Sequence, residues 1–247
     1  MMIIDSHVHL RHGDATCTEY SPETIVEVMD AVGIQRSVVF AICCTSKDAM
    51  ERASDAVAKF PDRLIPYAYA LPNYERPVLD ELREAIGQRG FKGIKIHIGE
   101  CRLPPWIIEP VMRLAGSYGV PCLIDFAGDA RSAERLARLF PETKLIIAHF
   151  GRYRGTDVPL IDTFIGLAEK YPNVWFDTSG VPVSWKIEDA VRRIGASRIL
   201  FGTDGPHPTP TLENMARLAI EHIRMLSITE EEKAWILGGS AAALLGL

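Results

Sequence analysis

Short apolar runs recur along the chain, each followed by a longer stretch whose apolar residues return every three or four positions. The first run, Met2-Ile3-Ile4, leads into Asp5-Ser6-His7-Val8-His9. After a polar loop, Ser21-Pro22-Glu23 supplies an N-cap, a proline at the first helical position and an acid in the first turn, which predicts a helix over 22–31 closed by Gly33. Ser37-Val38-Val39-Phe40-Ala41-Ile42 is almost continuously apolar and rich in β-branched residues, as in a strand buried on both faces. The same reading places further strands at 64–69, 93–97, 121–125, 144–149, 173–177 and 198–201. Helices are predicted between them at 46–60 (with Ser46 as cap), 76–88, 105–118, 131–140, 159–170 and 186–194, and after the last strand at 210–222. Residues 229–237 and the small-residue tail 238–245 should add helices that cover the barrel from outside.

Strict alternation at roughly thirty residues per unit implies a parallel sheet, and eight such units are what a closed (β/α)8 barrel needs. An open doubly wound sheet would carry a Gly-x-Gly-x-x-Gly turn after its first strand, where this chain has histidines. No linker or low-complexity segment interrupts the pattern. The expectation is one α/β domain over 1–247, a TIM barrel with extra C-terminal helices.

In such barrels the site forms where the strands end at their carboxyl side. His7 and His9 close strand one, Asp125 strand five, His149 strand six and Asp177 strand seven, while Gly202-Thr203-Asp204 follows strand eight. Two positions apart on a strand, His7 and His9 project to one side about 6–7 Å apart, close enough to grip one ion. Imidazoles and carboxylates converging on one mouth suit a divalent transition metal such as zinc, manganese or iron. Lys95 and His97 share side-chain parity on strand four, and Arg152 and Arg154 follow His149, a placement suited to an acidic substrate. His12 and His207 lie on loops and read as solvated.

Charge narrows the partners. A net charge of −5 and a pI near 5.8 favour neither nucleic acid nor an anionic membrane, so a small molecule is the expected partner, with a homodimer left open. No run reaches the length of a membrane span and no cleavable leader opens the chain, which predicts a soluble, cytoplasmic protein. Five scattered cysteines do not resemble a disulfide framework and read as small apolar side chains.

The Asp-x-His-x-His opening, Gly90-Phe91-Lys92-Gly93-Ile94-Lys95-Ile96-His97, Ala148-His149-Phe150-Gly151, Asn173-Val174-Trp175-Phe176-Asp177-Thr178-Ser179-Gly180, Phe201-Gly202-Thr203-Asp204-Gly205-Pro206 and the Gly-Ser-Ala-Ala-Ala-Leu-Leu-Gly-Leu ending occur in that order. Together they resemble the amidohydrolase superfamily, in particular the amidohydrolase-related branch that includes aminocarboxymuconate-semialdehyde and resorcylate-type decarboxylases and several lactonases. The resemblance implies a metal-dependent barrel enzyme in which His7 and His9 hold one divalent ion, Asp204 ligates it and shuttles a proton, and His149 sits beside it as ligand or proton donor. Zinc is the first expectation for the ion. The family's strand-five histidine is replaced by Asp125, which either ligates the metal, favouring manganese, iron or magnesium, or leaves it weakly bound. In other branches a carboxylated strand-four lysine bridges two metals; here Lys95 is expected to stay unmodified and, with His97 and Arg152, to meet substrate.

A divalent ion with an open position lowers the pKa of water from about 15.7 toward about 7 and polarises a carbonyl. Hydrolysis is therefore expected, with Asp204 as proton acceptor and His149 as donor, and the short loops of this compact chain favour it. Nonoxidative decarboxylation of an aromatic or muconate-type acid is the alternative, and a barrel that binds ligand or metal without catalysis is the alternative of another class. No Gly-x-Ser-x-Gly elbow points to a serine mechanism.

Overall fold

The computed structural model describes residues 2–76, 78–101 and 104–247. Strands and helices alternate as β1 (Ile4–Arg11), α1 (Pro22–Val32), β2 (Arg36–Ala41), α2 (Ser46–Lys59), β3 (Leu64–Tyr69), α3 (Leu79–Gly87), β4 (Gly93–His97) and α4 (Pro105–Tyr118). They continue as β5 (Cys122–Asp125), α5 (Ala130–Leu139), β6 (Leu145–Ile147), α6 (Val158–Lys170), β7 (Val174–Asp177), α7 (Ser184–Ile194), β8 (Ile199–Leu200) and α8 (Leu212–Arg224). Two short helices, α9 (Glu230–Ala234) and α10 (Ser240–Leu245), flank a π turn over Trp235–Gly239. The strands lie side by side in sequence order, each parallel to the next, so the architecture is the expected TIM barrel.

The barrel closes just beyond β8. The Ser6 N–H donates to the Phe201 carbonyl (2.8 Å) and the His9 N–H to the Gly205 carbonyl (2.7 Å), so β1 pairs with the segment that carries Asp204. The C-terminal segment braces this seam from outside: the Ile236 carbonyl accepts from the Phe201 N–H, and a side chain at Gly238 would collide with the Met2 carbonyl. Strands β2 and β3 and most of β4 to β6 are buried on both faces, which explains their unbroken apolar sequences. Gly93 opens β4 because the ring of Tyr67 occupies the space a Cβ would need, 2.4 Å away.

Local chemistry sets the element ends. Ser21 Oγ accepts from the Thr24 N–H and Gly33 closes α1 at φ 80°, as expected. Thr45, not Ser46, caps α2; the Ser46 hydroxyl instead accepts from the Leu71 N–H at 2.9 Å and ties the helix to the loop after β3. Helix α3 starts at Leu79 because the Asn73 side chain accepts from the N–H groups of Glu75 and Arg76 and holds them in a turn. Pro77, inside the helix expected at 76–88, lies outside the described residues. The strand expected over 144–149 stops at Ile147, and the chain turns through a 3-10 segment, Ala148–Gly151, with φ near 57° at His149 and 51° at Phe150. There the His149 N–H leaves the sheet to donate to Asp177 Oδ1 (3.0 Å). No helix among the described residues is long and apolar enough to cross a membrane.

Candidate metal centre

The histidine-bearing strand is irregular where it matters. Its register against β2 shifts between Asp5 and Val8 and again between His9 and Arg11, the mark of bulges that re-aim side chains. The Asp5 carboxylate accepts from the His7 N–H (3.1 Å), the Thr203 N–H (3.0 Å) and the Thr203 hydroxyl (2.6 Å), so one buried acid fixes both the first strand and the turn after the eighth. Burial pushes the Asp5 carboxyl up to about 6 against those bonds. Asp204 then takes a left-handed backbone (φ 58°), and Gly202 lets that backbone pass 3.0 Å from His7 Cβ, measured from where its own Cβ would be.

Each ligand candidate is aimed by its other ring nitrogen. His7 Nδ1–H donates to Asp177 Oδ2 at 2.8 Å, His149 Nδ1–H to the Ser179 carbonyl at 2.9 Å, and His9 Nδ1–H makes a longer approach, 3.4 Å, to the Arg11 carbonyl. Their Nε2 atoms face the mouth. Nε2 of His7 lies 3.1 Å and Nε2 of His9 3.0 Å from Asp204 Oδ1, and ligand atoms of His7, His149 and Asp204 all fall within 4.8 Å of one another. This back-bonding to carboxylate or carbonyl is the usual way a protein orients metal-binding imidazoles.

With Nδ1–H committed to Asp177, His7 turns Nε2 toward two groups at once, Asp204 Oδ1 at 3.1 Å and the Lys95 Nζ at 3.0 Å. Burial and Lys95 act to lower the His7 pKa, yet Asp177 and Asp204 outweigh them and raise it. Burial opposes ionisation of Asp204, but His7 and hydrogen bonds from His207, His7 and His9 hold its carboxyl well below the usual range. Burial drives the His9 pKa well below the usual imidazole value. The donor set, imidazole Nε2 lone pairs around a carboxylate oxygen, fits a divalent ion.

The remaining expectations divide by position. Asp125 sits across the cleft, its Oδ2 3.8 Å from His149 Nε2 and 3.5 Å from His97 Nε2. Lys95 is fully buried, its Nζ 3.0 Å from His7 Nε2 and 4.8 Å above the Phe40 ring; burial lowers its pKa while Asp125, Asp204 and Asp177 act to raise it. All of these line a cleft of about 650 Å³. Arg152 does not: it is exposed, and the residue of that loop at the cleft is Tyr153, whose ring meets His149 edge-on at 5.1 Å. His12 and His207, read as solvated loop residues, both line the cleft, and His12 is buried and stacked on His9 at 4.4 Å. Asp177, placed at the mouth by its strand-end position, instead lies behind His7 and His149 as a hydrogen-bond partner, and Ser179 was given no role by the sequence.

Residues 4–247 match the amidohydrolase family. The chain belongs to that family. Among solved structures, this amidohydrolase resembles a probable 2-pyrone-4,6-dicarboxylic acid hydrolase from Acinetobacter baumannii, with citric acid bound, at TM-score 0.75 and 18% identity over 100% of both chains. It resembles a 2,6-dihydroxybenzoate decarboxylase at TM-score 0.70 and 19% identity, and a zinc-bound amidohydrolase from Burkholderia multivorans at TM-score 0.78 and 15% identity, again over 100% of each chain. At such identities the likeness is one of fold. No curated protein matches the sequence.

Proposed function

We propose that this amidohydrolase is a metal-dependent hydrolase that opens a lactone, amide or ester-type bond in a small acidic molecule. The observation that carries the reading is the placement of His7 and His9 Nε2 at 3.1 and 3.0 Å from Asp204 Oδ1, with His149 bringing a ligand atom within 4.8 Å of those of His7 and Asp204 and each imidazole's Nδ1 already engaged. These four residues would hold one divalent ion, with zinc first and manganese, iron or magnesium as the other candidates. Bound there, the ion would polarise a substrate carbonyl and acidify water. We assign His149 as a ligand, since its Nδ1–H donates to the Ser179 carbonyl and leaves the Nε2 lone pair to the cleft.

Asp204 accepts the proton of the attacking water on Oδ2, the oxygen that lies 3.6 Å from His207 Nε2. Lys95 steadies the substrate's carboxylate or developing oxyanion from inside the barrel. His97, paired with Asp125, stands across the cleft where a leaving group needs a proton. The same groups support nonoxidative decarboxylation, and the fully buried Lys95 ammonium, a ready carboxylate anchor, is the observation that favours that second reading.

The test is elemental analysis of purified protein, then a screen of lactones, amides, esters and aromatic acids with the found metal restored. Solvent ¹⁸O appearing in the product without release of carbon dioxide supports hydrolysis; carbon dioxide release without ¹⁸O assigns the second reading. Protein that retains no divalent ion after loading sinks both.

A further inference from the structure

Beside the cleft lies a larger hollow of about 970 Å³, bounded by the loops after β6 and β7, the end of β8 and one face of α8. Tyr153 and His207 line both cavities, so two side chains separate them. Gly202 and Thr203, which immediately precede Asp204, line the hollow as well, so it begins one residue from the proposed proton acceptor. Its walls are largely apolar: Val181 from the loop after β7, and Met215, Leu218, Ala219 and Ile223 from α8. Leu218 is 58% exposed, a large apolar side chain left to solvent at the edge of this hollow. The partition itself is built for: Gly180, at φ 61°, accommodates the Tyr153 ring, whose carbons lie 2.5 Å from where a Cβ would stand.

From this adjacency we propose that the hollow is the subsite for an apolar arm, aryl or alkyl, of a substrate whose oxygen-bearing head occupies the metal cleft. The inference rests on the metal-centre reading. It adds the substrate's chemical class, an amphipathic acid derivative with its reactive group at one end, and makes α8 the specificity-determining helix. The arm passes the Tyr153 ring and lies against α8, covering apolar surface that is otherwise wet.

Two hydroxamates read the two parts separately by calorimetry. Acetohydroxamate has only the metal-binding head; 4-phenylbutyrohydroxamate adds the arm. On zinc-loaded protein the phenylbutyl compound should bind at least tenfold more tightly, since several methylenes and a ring leave water. Ala219→Trp, which fills the hollow, and Leu218→Glu, which makes its edge polar, should each remove that gain while leaving acetohydroxamate affinity unchanged; both positions are partly exposed, so the fold tolerates them. If the two hydroxamates bind equally, or the gain survives both substitutions, the subsite is overturned. If acetohydroxamate binds zinc-loaded and metal-free protein alike, the metal reading fails instead. The subsite is then decided on metal-free protein, where Ala219→Trp must abolish phenylbutyrohydroxamate binding for it to stand.

Discussion

Nδ1 of His7 lies 2.8 Å from Oδ2 of Asp177, joining the first strand to the seventh across 170 residues of chain. The same carboxylate receives the backbone N–H of His149 and that of Ser179, so one buried acid orients two imidazoles that line the cleft. Burial works against its ionisation, but His7 and these bonds hold the Asp177 carboxyl well below the usual range.

Asp177→Asn should therefore weaken zinc binding about 10–100-fold, the usual penalty for losing a partner that orients a ligand, while the barrel still folds. A competitive chelator titration on protein with parental circular dichroism measures it. Unchanged affinity would show that His7 and His149 do not depend on this carboxylate.

His7→Ala and His149→Ala should both lower metal stoichiometry, because each removes an Nε2 from the converging set. Arg152→Ala should change neither metal content nor turnover, since its side chain is exposed and off the cleft. If His149→Ala keeps its metal and loses only turnover, His149 is a proton donor and the donor set is smaller.

For Asp204→Asn, turnover should fall at least about 10²-fold with thermal unfolding unchanged, as expected when a general base is lost. The amide can still offer one oxygen to an ion but takes no proton. Retention of more than a tenth of the activity would move the base to another residue.

Cys43 should resist alkylation. Burial first, then Glu100, whose Oε1 accepts from its thiol at 3.5 Å, pushes the Cys43 thiol up to about 12. Little of the reactive thiolate is therefore present at pH 8. Glu100→Gln removes the largest cause after burial and should speed modification by iodoacetamide, read site by site by peptide mass mapping; fast labelling of the parent protein at Cys43 would contradict the placement.

Much of the barrel was legible because parallel strands buried on both faces print as unbroken apolar runs, as in 37–42, between helices with clear caps such as Ser21. The converging strand ends followed from side-chain parity and position. What the sequence hid depends on contacts between distant residues. Nothing local tells that His149 leaves its strand, because the cause is a carboxylate 28 residues further on. Arg152 and Tyr153 could not be ranked for the same reason: a left-handed turn through His149 and Phe150 decides which neighbour faces the cleft. His12 looked like a loop residue until its ring was seen stacked on His9.

The seam between β1 and the end of β8 also sets an order in time. One bank carries His7 and His9; the other carries Asp204, which is made 195 residues after His9, and the brace formed by Ile236 and Gly238 comes later still. A nascent chain therefore holds two buried-type histidines without their carboxylate until Asp204 has been made. An ion held by these residues would load only once the seam has formed, tying β1 to the segment after β8 as a final stitch.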